Sequence, residues 1–296
     1  MEAVGGLWVW INGELRPTAE AAVSVFDRGL LYGDGVFEGL RLLAGSKVFR
    51  LRDHLERLYD SARAIGLRVG YSAEELKGAV AEVVRRSGLA EGHLRVVVTR
   101  GPAPPGLDPR AARRSTVIVM GYPFGEHLRP PHLAGSLRAR LASVRRWSPQ
   151  ALDPKIKCLN YLNEILAQLE AAASGFDTAI MLGEDGYLAE ASAANIFLVK
   201  RNRIYTPYPN YCLAGITRAA VMELAGELGF EVREANLTVA ELFNADEVFL
   251  TSTAIDIAPV TEVDGRPIGT GEPGPVTKEL KERFLQVMLL QAEDLF

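Results

Sequence analysis

The sequence predicts an α+β protein divided into two domains, and three observations carry that prediction. Segments rich in β-branched and aromatic residues, bounded by Gly, Pro and Asn, recur in both halves of the chain. Helical periods with recognisable start and stop signals stand among them. The stretch 122–131 lacks any period and holds one glycine and three prolines, the composition of a linker. Residues 1–121 are expected to form a small N-terminal domain, 122–133 the linker and 134–296 a larger C-terminal domain. A hinge between two β-rich halves often walls a binding cleft.

The N-terminal elements follow from local chemistry. Leu7 to Ile11 ahead of Asn12-Gly13 reads as a strand entering a type I′ hairpin, because Asn-Gly supplies the positive φ angles. Gly33-Asp34-Gly35 eases a turn into a strand that runs to Leu43. The spacing of its glycines is not that of a dinucleotide site, and no helix follows. Leu55, Leu58, Ala62 and Ile65 share one helical face that stops at Gly66. A Ser72/Glu75 capping box opens a second helix through Leu76, Ala79, Val80 and Val83, ending at Gly88. Strands at 94–99 and 116–120 flank the proline-rich loop 101–106, which must be exposed or held by a partner.

In the C-terminal half, strands are expected at 138–144, 178–182, 187–189, 195–200 and 247–251. A helix follows the lysine segment 154–164. Another opens at Gly215-Ile216-Thr217-Arg218, carries Val221, Leu224, Ala225 and Leu228, and closes at Gly229. The last, from about 276 to 288, is amphipathic through Leu280, Phe284 and Val287.

Charge and composition exclude several functions. The chain has 296 residues, 48% of them hydrophobic, with a formal net charge of −4 and scattered basic residues, which argues against nucleic-acid binding. Cys158 and Cys212 make neither a disulfide framework nor a metal-ligand spacing and suit a reducing compartment. The first residues lack the pattern of a signal peptide, and no apolar run approaches membrane-spanning length. A soluble, cytoplasmic protein without membrane or nucleic-acid partners is expected.

The candidate chemistry centres on Lys155 and Lys157. Leu159, Leu162, Leu166, Leu169 and Ala173 form one apolar face, so the segment sets a lysine at the start of a helix. There the macrodipole disfavours a cation and favours the neutral, imine-forming amine. Periodicity does not choose between the two lysines, and a solvated surface cation is the ordinary state of either. Thr217 reads as an N-cap beside Gly215, leaving amides that suit a phosphate or simply an ordinary capped helix. Ser252-Thr253-Ala254 offers hydroxyl and amide donors, or is only a turn. Glu190 lies among small and apolar residues and needs a cationic partner or a strand end. Arg57 borders an apolar face, where Asp53 four residues earlier is its ordinary partner. A lysine, a carboxylate, a helix N-terminus and an arginine are together the parts of a pyridoxal-phosphate site.

These residues resemble a known family. Ile156 to Tyr161, Glu190 to Phe197, Gly215 to Arg218 and Thr251 to Ala254 look like the ordered motifs of fold-type IV, or class IV, pyridoxal-phosphate aminotransferases. The resemblance runs from about Trp8 to Phe284. It implies a small α/β domain followed by a larger β-barrel-like domain with helices that binds pyridoxal 5′-phosphate. By the same matching Lys157 is the imine-forming residue. Arg57, Ile216, Thr217, Ser252 and Thr253 are implied around the phosphate, Tyr161 at the phenolic oxygen, and Glu190 at the ring nitrogen, with Asn195 also in the cofactor set.

The resemblance further implies Tyr32, Phe37, Gly39, Arg41, His93, Arg95, Thr253 and Ala254 around the substrate. Phe37-Glu38-Gly39-Leu40-Arg41 is similar to the branched-chain aminotransferases, and no Arg-x-His trap of the D-specific enzymes follows Gly101. His93 departs from a family tyrosine, and His127 falls near another; a strand-end histidine in water is the ordinary alternative for His93. The implied activity is transfer of an amino group between a branched-chain L-amino acid and 2-oxoglutarate, in a homodimer or higher oligomer with its active site at the interface. D-amino-acid or (R)-amine transamination, aminodeoxychorismate lyase activity and a non-enzymatic binding protein are the alternatives.

Overall fold

The computed structural model describes residues 6–124 and 135–296. Most of the expected linker, 125–133, lies outside the described residues, as does His127. Two compact units are present. The first takes the described chain up to Phe124 together with Ile156–Asn160 and Gln291–Phe296; the second takes Gly135 to Lys155 and Tyr161–Leu290. A division at one linker, with 134–296 kept together, assigns Lys157 to the other unit.

In the first unit β1 (Trp8–Ile11) and β2 (Glu14–Pro17) form the expected hairpin, with Asn12 at φ 51° and Gly13 at φ 98°. A short helix α1 (Arg28–Tyr32), capped by the Asp27 carboxylate, precedes β3 (Gly35–Leu43) and β4 (Lys47–Phe49). Helices α2 (Leu51–Ala64) and α3 (Ala73–Ser87) follow, the latter opened by the complete Ser72/Glu75 capping box. β5 (Gly92–Thr99), β6 (Thr116–Tyr122) and the chain's last strand, β16 (Ala292–Asp294), complete a sheet ordered β16-β4-β3-β5-β6-β1-β2.

All nine residues of β3 are buried. Their alternation sorts the site. Val36, Leu40 and Leu42 face the helices with Leu55, Leu58, Leu76 and Val80. Phe37, Gly39 and Arg41 face the other way, opposite Val97, Arg95 and His93 of β5. Glu38 is the exception, a carboxylate on the helix-facing side.

The second unit begins with β7 (Leu137–Leu141), α4 (Leu162–Ala173), β8 (Thr178–Leu182), β9 (Leu188–Ala191), β10 (Asn195–Lys200) and β11 (Arg203–Pro207). It continues through α5 (Ile216–Glu227), β12 (Glu231–Ala235), α6 (Val239–Phe243), β13 (Glu247–Ser252), β14 (Asp256–Val263), β15 (Arg266–Pro267) and α7 (Pro275–Leu290). The nine strands run β12-β11-β10-β13-β14-β7-β8-β9, with β15 on β14. Ala191 donates to the Ala194 carbonyl at 2.7 Å, turning β9 back toward β10 and curling the sheet toward a half-barrel.

The expectation of a lysine at the start of a helix fails. Lys157 does not begin a helix: α4 starts at Leu162, and residues 156–160 run beside β3, bridging it at Cys158. Their backbone groups are already committed. Phe37 N–H donates to the Lys157 carbonyl at 3.0 Å, and Leu159 N–H donates to the Gly35 carbonyl at 3.0 Å. The leucine face of α4 is also not buried. Leu162, Ile165, Leu166 and Leu169 are exposed, while Ala167 and Ala171 pack on Ala142, Ala179 and Met181 of the sheet side. Alanines allow the helix axis to approach the strands more closely than leucines would.

Candidate active site

In the first unit Lys157 is fixed by its backbone. Besides the bond from Phe37, its own N–H donates to Ser61 Oγ of α2 at 3.1 Å, and its Nζ lies 4.7 Å from the Phe37 ring centroid. Lys155 is exposed in the second unit, so the two candidate lysines have different surroundings. The Arg95 guanidinium lies 4.1 Å from the same Phe37 ring, and that of Arg41 lies 3.8 Å from the ring of Phe124.

His93 is buried, not the water-exposed alternative, and stacks on Tyr122 with ring centroids 5.5 Å apart. A Cβ on Gly39 would come within 2.7 Å of His93 Nε2, so a side chain at 39 would have to displace this ring. Burial, reinforced by Arg95, pushes the His93 imidazole down to about 4, which keeps it neutral near pH 7.

Behind this face Glu38 binds Arg57 and His54 together. Arg57 Nε and Nη2 donate to its two oxygens at 2.6 and 2.9 Å, and His54 Nδ1 lies 2.8 Å from Oε2. Burial opposes the charge on Glu38, yet Arg57 and His54 hold its carboxyl down at about 2. Burial likewise lowers His54, against the pull of Glu38, so His54 is a neutral Nδ1–H donor. Arg57 thus has a buried carboxylate for its partner, and Asp53, its ordinary surface partner, lies 3.8 Å from Arg50. Tyr32, the remaining expected residue of this unit, accepts a hydrogen bond from the Gly106 amide at 2.9 Å through its hydroxyl. Arg28 reaches the Gly106 carbonyl at 2.6 Å, so the proline-rich loop is held from within the unit.

In the second unit Glu190 of β9 has the cationic partner its surroundings require. Arg146 Nε donates to its Oε1 at 2.7 Å, while Asn195 Nδ2 and the Leu213 amide donate to Oε2 at 3.3 and 3.2 Å. Arg146 also pairs through Nη1 with Glu164 of α4. All three charged side chains are buried. Burial pushes the Glu190 carboxyl up, with a smaller push from Glu164, and Arg146 and the Leu213 amide draw it back.

Ile216 and Thr217 lie in the first turn of α5, whose leading amides have no acceptor within the helix. The N-cap is Gly215, not Thr217: a side chain at 215 would overlap Asn195 Oδ1, and Thr217 is already helical and buried. Ser252 ends β13 and Thr253, Ala254 and Ile255 make the turn to β14, where Ser252 Oγ accepts from the Ile255 amide at 3.4 Å. Tyr161 stands at the N-terminus of α4.

Sequence reasoning left out Arg146, Glu164 and His54 as functional candidates. Glu164 carried no signal, since the face it shares with Ala167 and Ala171 lies opposite the leucine stripe. His54 stands one turn before Arg57 and so shares its helix face.

The amino-transferase class IV model matches residues 35–263. A putative branched-chain-amino-acid aminotransferase of Methanocaldococcus jannaschii is 44% identical over 94% of this chain and 96% of its own length. The branched-chain-amino-acid aminotransferase of Escherichia coli K12 is 37% identical, with 97% and 94% covered. A T.th. branched-chain amino acid aminotransferase solved with pyridoxamine 5′-phosphate superposes with a TM-score of 0.93 at 34% identity, covering 99% of this chain and 100% of that one. The chain belongs to the class IV aminotransferases. Within that family, the relatives just described all carry the branched-chain name.

Proposed function

We propose that this protein is a pyridoxal-phosphate-dependent aminotransferase that moves an amino group between leucine, isoleucine or valine and 2-oxoglutarate. The observation that carries this is the fixed Lys157, which presents its amine beside the Phe37 ring in a chain of the class IV family. The T.th. enzyme has been solved with N-(5′-phosphopyridoxyl)-L-glutamate and with 4-methylvaleric acid, one ligand matching each half of such an exchange.

The residues suit the cofactor. The Glu190 cluster carries two carboxylates and one guanidinium, which leaves one negative charge for a protonated ring nitrogen. The first-turn amides of α5 suit a phosphate. Arg57, Ile216, Thr217, Ser252 and Thr253 would hold that phosphate, Tyr161 the phenolic oxygen and Glu190 the ring nitrogen, with Asn195 steadying Glu190. When bound, pyridoxal phosphate supplies an electrophilic carbonyl and a ring that accepts electrons.

Lys157 would hold the cofactor through its Nζ, and its amine, when free, would serve as the base and then the acid that moves the proton of the substrate Cα. Arg41 and Arg95 favour substrate carboxylates. Tyr32, Phe37, Gly39, His93, Thr253 and Ala254 would contact the substrate.

We further propose a cytoplasmic homodimer or higher oligomer with its active site at the interface. Leu162, Ile165, Leu166 and Leu169 on one helix, and Val25, Phe26, Leu30 and Leu107 in the first unit, are exposed apolar groups that a second copy would cover. None of the described helices is long and apolar enough to cross a membrane.

The deciding experiment mixes the holoprotein separately with L-leucine, L-valine, D-alanine and an (R)-arylamine and follows the cofactor absorption. Bleaching by L-leucine and L-valine is expected. Bleaching by D-alanine or the arylamine alone would overturn the substrate assignment, and pyruvate release from aminodeoxychorismate without a keto acid would favour the lyase.

A further inference from the structure

We propose that Arg146 and Glu164 are positioning residues: Arg146 holds Glu190 aimed at the cofactor's ring nitrogen, and Glu164 balances Arg146 so that the cluster keeps a net negative charge there. The inference rests on the proposed cofactor site.

The three groups come from three separate pieces of chain: the segment after β7, the first turn of α4, and β9. Arg146 is anchored by its own backbone, its amide donating to the Leu182 carbonyl at 2.9 Å. One nitrogen of its guanidinium then engages Glu190 and another engages Glu164, so the planar fork fixes the two carboxylates relative to each other. Glu190 is held on both oxygens, by Arg146 on Oε1 and by Asn195 and Leu213 on Oε2. Glu164 Oε2 is buried and accepts no hydrogen bond among the described residues, which leaves the ion pair of Oε1 with Arg146 as its described contact.

The sign of the cluster follows from counting charges. Two carboxylates and one guanidinium leave a single negative charge out of water. The adjacent Cys212 adds none, since burial pushes its thiol up to about 12. Without Glu164, the Arg146–Glu190 pair would be neutral, and a protonated ring nitrogen would meet a guanidinium already balanced by the carboxylate it needs. With Glu164, Arg146 is balanced from behind and the charge on Glu190 is available to the ring. An arginine beside the essential carboxylate would alone weaken its hold on a cation; the second carboxylate removes that penalty.

The test uses holoenzyme reconstituted with cofactor carrying ¹⁵N in the ring and reads the nitrogen's chemical shift, which separates protonated from neutral pyridine. In Glu164→Gln the ratio of protonated to neutral ring is expected to fall about tenfold, the equivalent of one pKa unit. kcat should fall with it while KM for L-leucine changes less than about twofold, since Glu164 touches no substrate in this scheme. Arg146→Lys keeps the charge but not the planar fork, so a shift between those of the wild type and Glu164→Gln is expected. Glu164→Met removes the same charge and serves where the glutamine variant does not fold. A wild-type ¹⁵N shift in the folded neutral variant, with any loss of rate following melting temperature alone, would overturn the proposal. Borohydride reduction and peptide mapping of the wild type separate the two levels: no label on Lys157 refutes the cofactor site itself, whereas labelled Lys157 with an unmoved ¹⁵N shift refutes only the role of Glu164 and Arg146.

Discussion

Replacing Glu38 by glutamine removes one charge from the most deeply buried ionic cluster of the first unit while keeping the side chain's shape. Glu38 is fully buried and holds both Arg57 and His54. Its carboxyl sits at about 2 against an ordinary 4.5, a gap worth about 3 kcal/mol at about 1.4 kcal/mol per pKa unit. The variant also leaves Arg57 without its bidentate anion, and breaking a buried pair costs about 3–5 kcal/mol. We therefore expect a loss of about 3–5 kcal/mol for Glu38→Gln at pH 7, read by urea denaturation.

The pH dependence has a definite sign. A carboxyl whose folded pKa is depressed contributes stability above its unfolded value, and that contribution is lost as pH falls through the folded one. The gap between wild type and variant should thus be constant above about 4.5 and narrow from there toward about 2, because protonated Glu38 and the glutamine that replaces it are then equivalent neutral groups. A loss under about 1 kcal/mol at pH 7, or a gap that does not narrow between these limits, would refute the assignment of Glu38 as a charged anchor for Arg57.

Gly39→Ala should cost about 1–3 kcal/mol through overlap with His93, and His93→Ala should recover much of it in the double variant; additive losses in thermal melts would rule out the contact. His93→Phe should remove a part of the acid sensitivity, because a neutral buried histidine costs stability as pH falls from about 6.5 toward its folded value of about 4. Leu295→Ala should destabilise the first unit by about 2–3 kcal/mol and raise amide exchange in β4, the partner of β16, since Leu295 closes that core from the far end of the chain. Leu162→Lys with Leu166→Lys should yield monomers in sedimentation if a second copy covers this face, and a wild-type protein that sediments as an active monomer would dismiss the oligomer.

What could be anticipated from the residues divides by the range of the interactions. Asn12-Gly13, the Ser72/Glu75 box and the Gly88 stop act within a few residues, and each appears where local chemistry requires it. β11 escaped because its turn is made by Arg201 and Asn202, both with positive φ, a conformation no glycine advertises. β16 escaped because three residues cannot announce a strand; only pairing with β4 defines it. The same limit hid His54, Arg146 and Glu164, whose roles are set by partners on other elements. Glu38 was visible as an anomaly, a carboxylate on the apolar face of β3, and a charge in such a position predicts a cation without saying which.

Helix α4 brings these limits into one element. Its leucines mark a continuous stripe at helical spacing, and taking the larger side chains as the buried ones puts the wrong side inward. The side that meets the sheet carries Ala167 and Ala171, which bring the helix close, and Glu164, which that close approach sets against Arg146. A leucine face turned inward would hold the helix farther from the strands, and Glu164 would be separated from the guanidinium it balances. The exposed leucines and the buried carboxylate are therefore consequences of one choice of face, so the helix that leaves its leucines outside also sets Glu164 against Arg146 on its inner side.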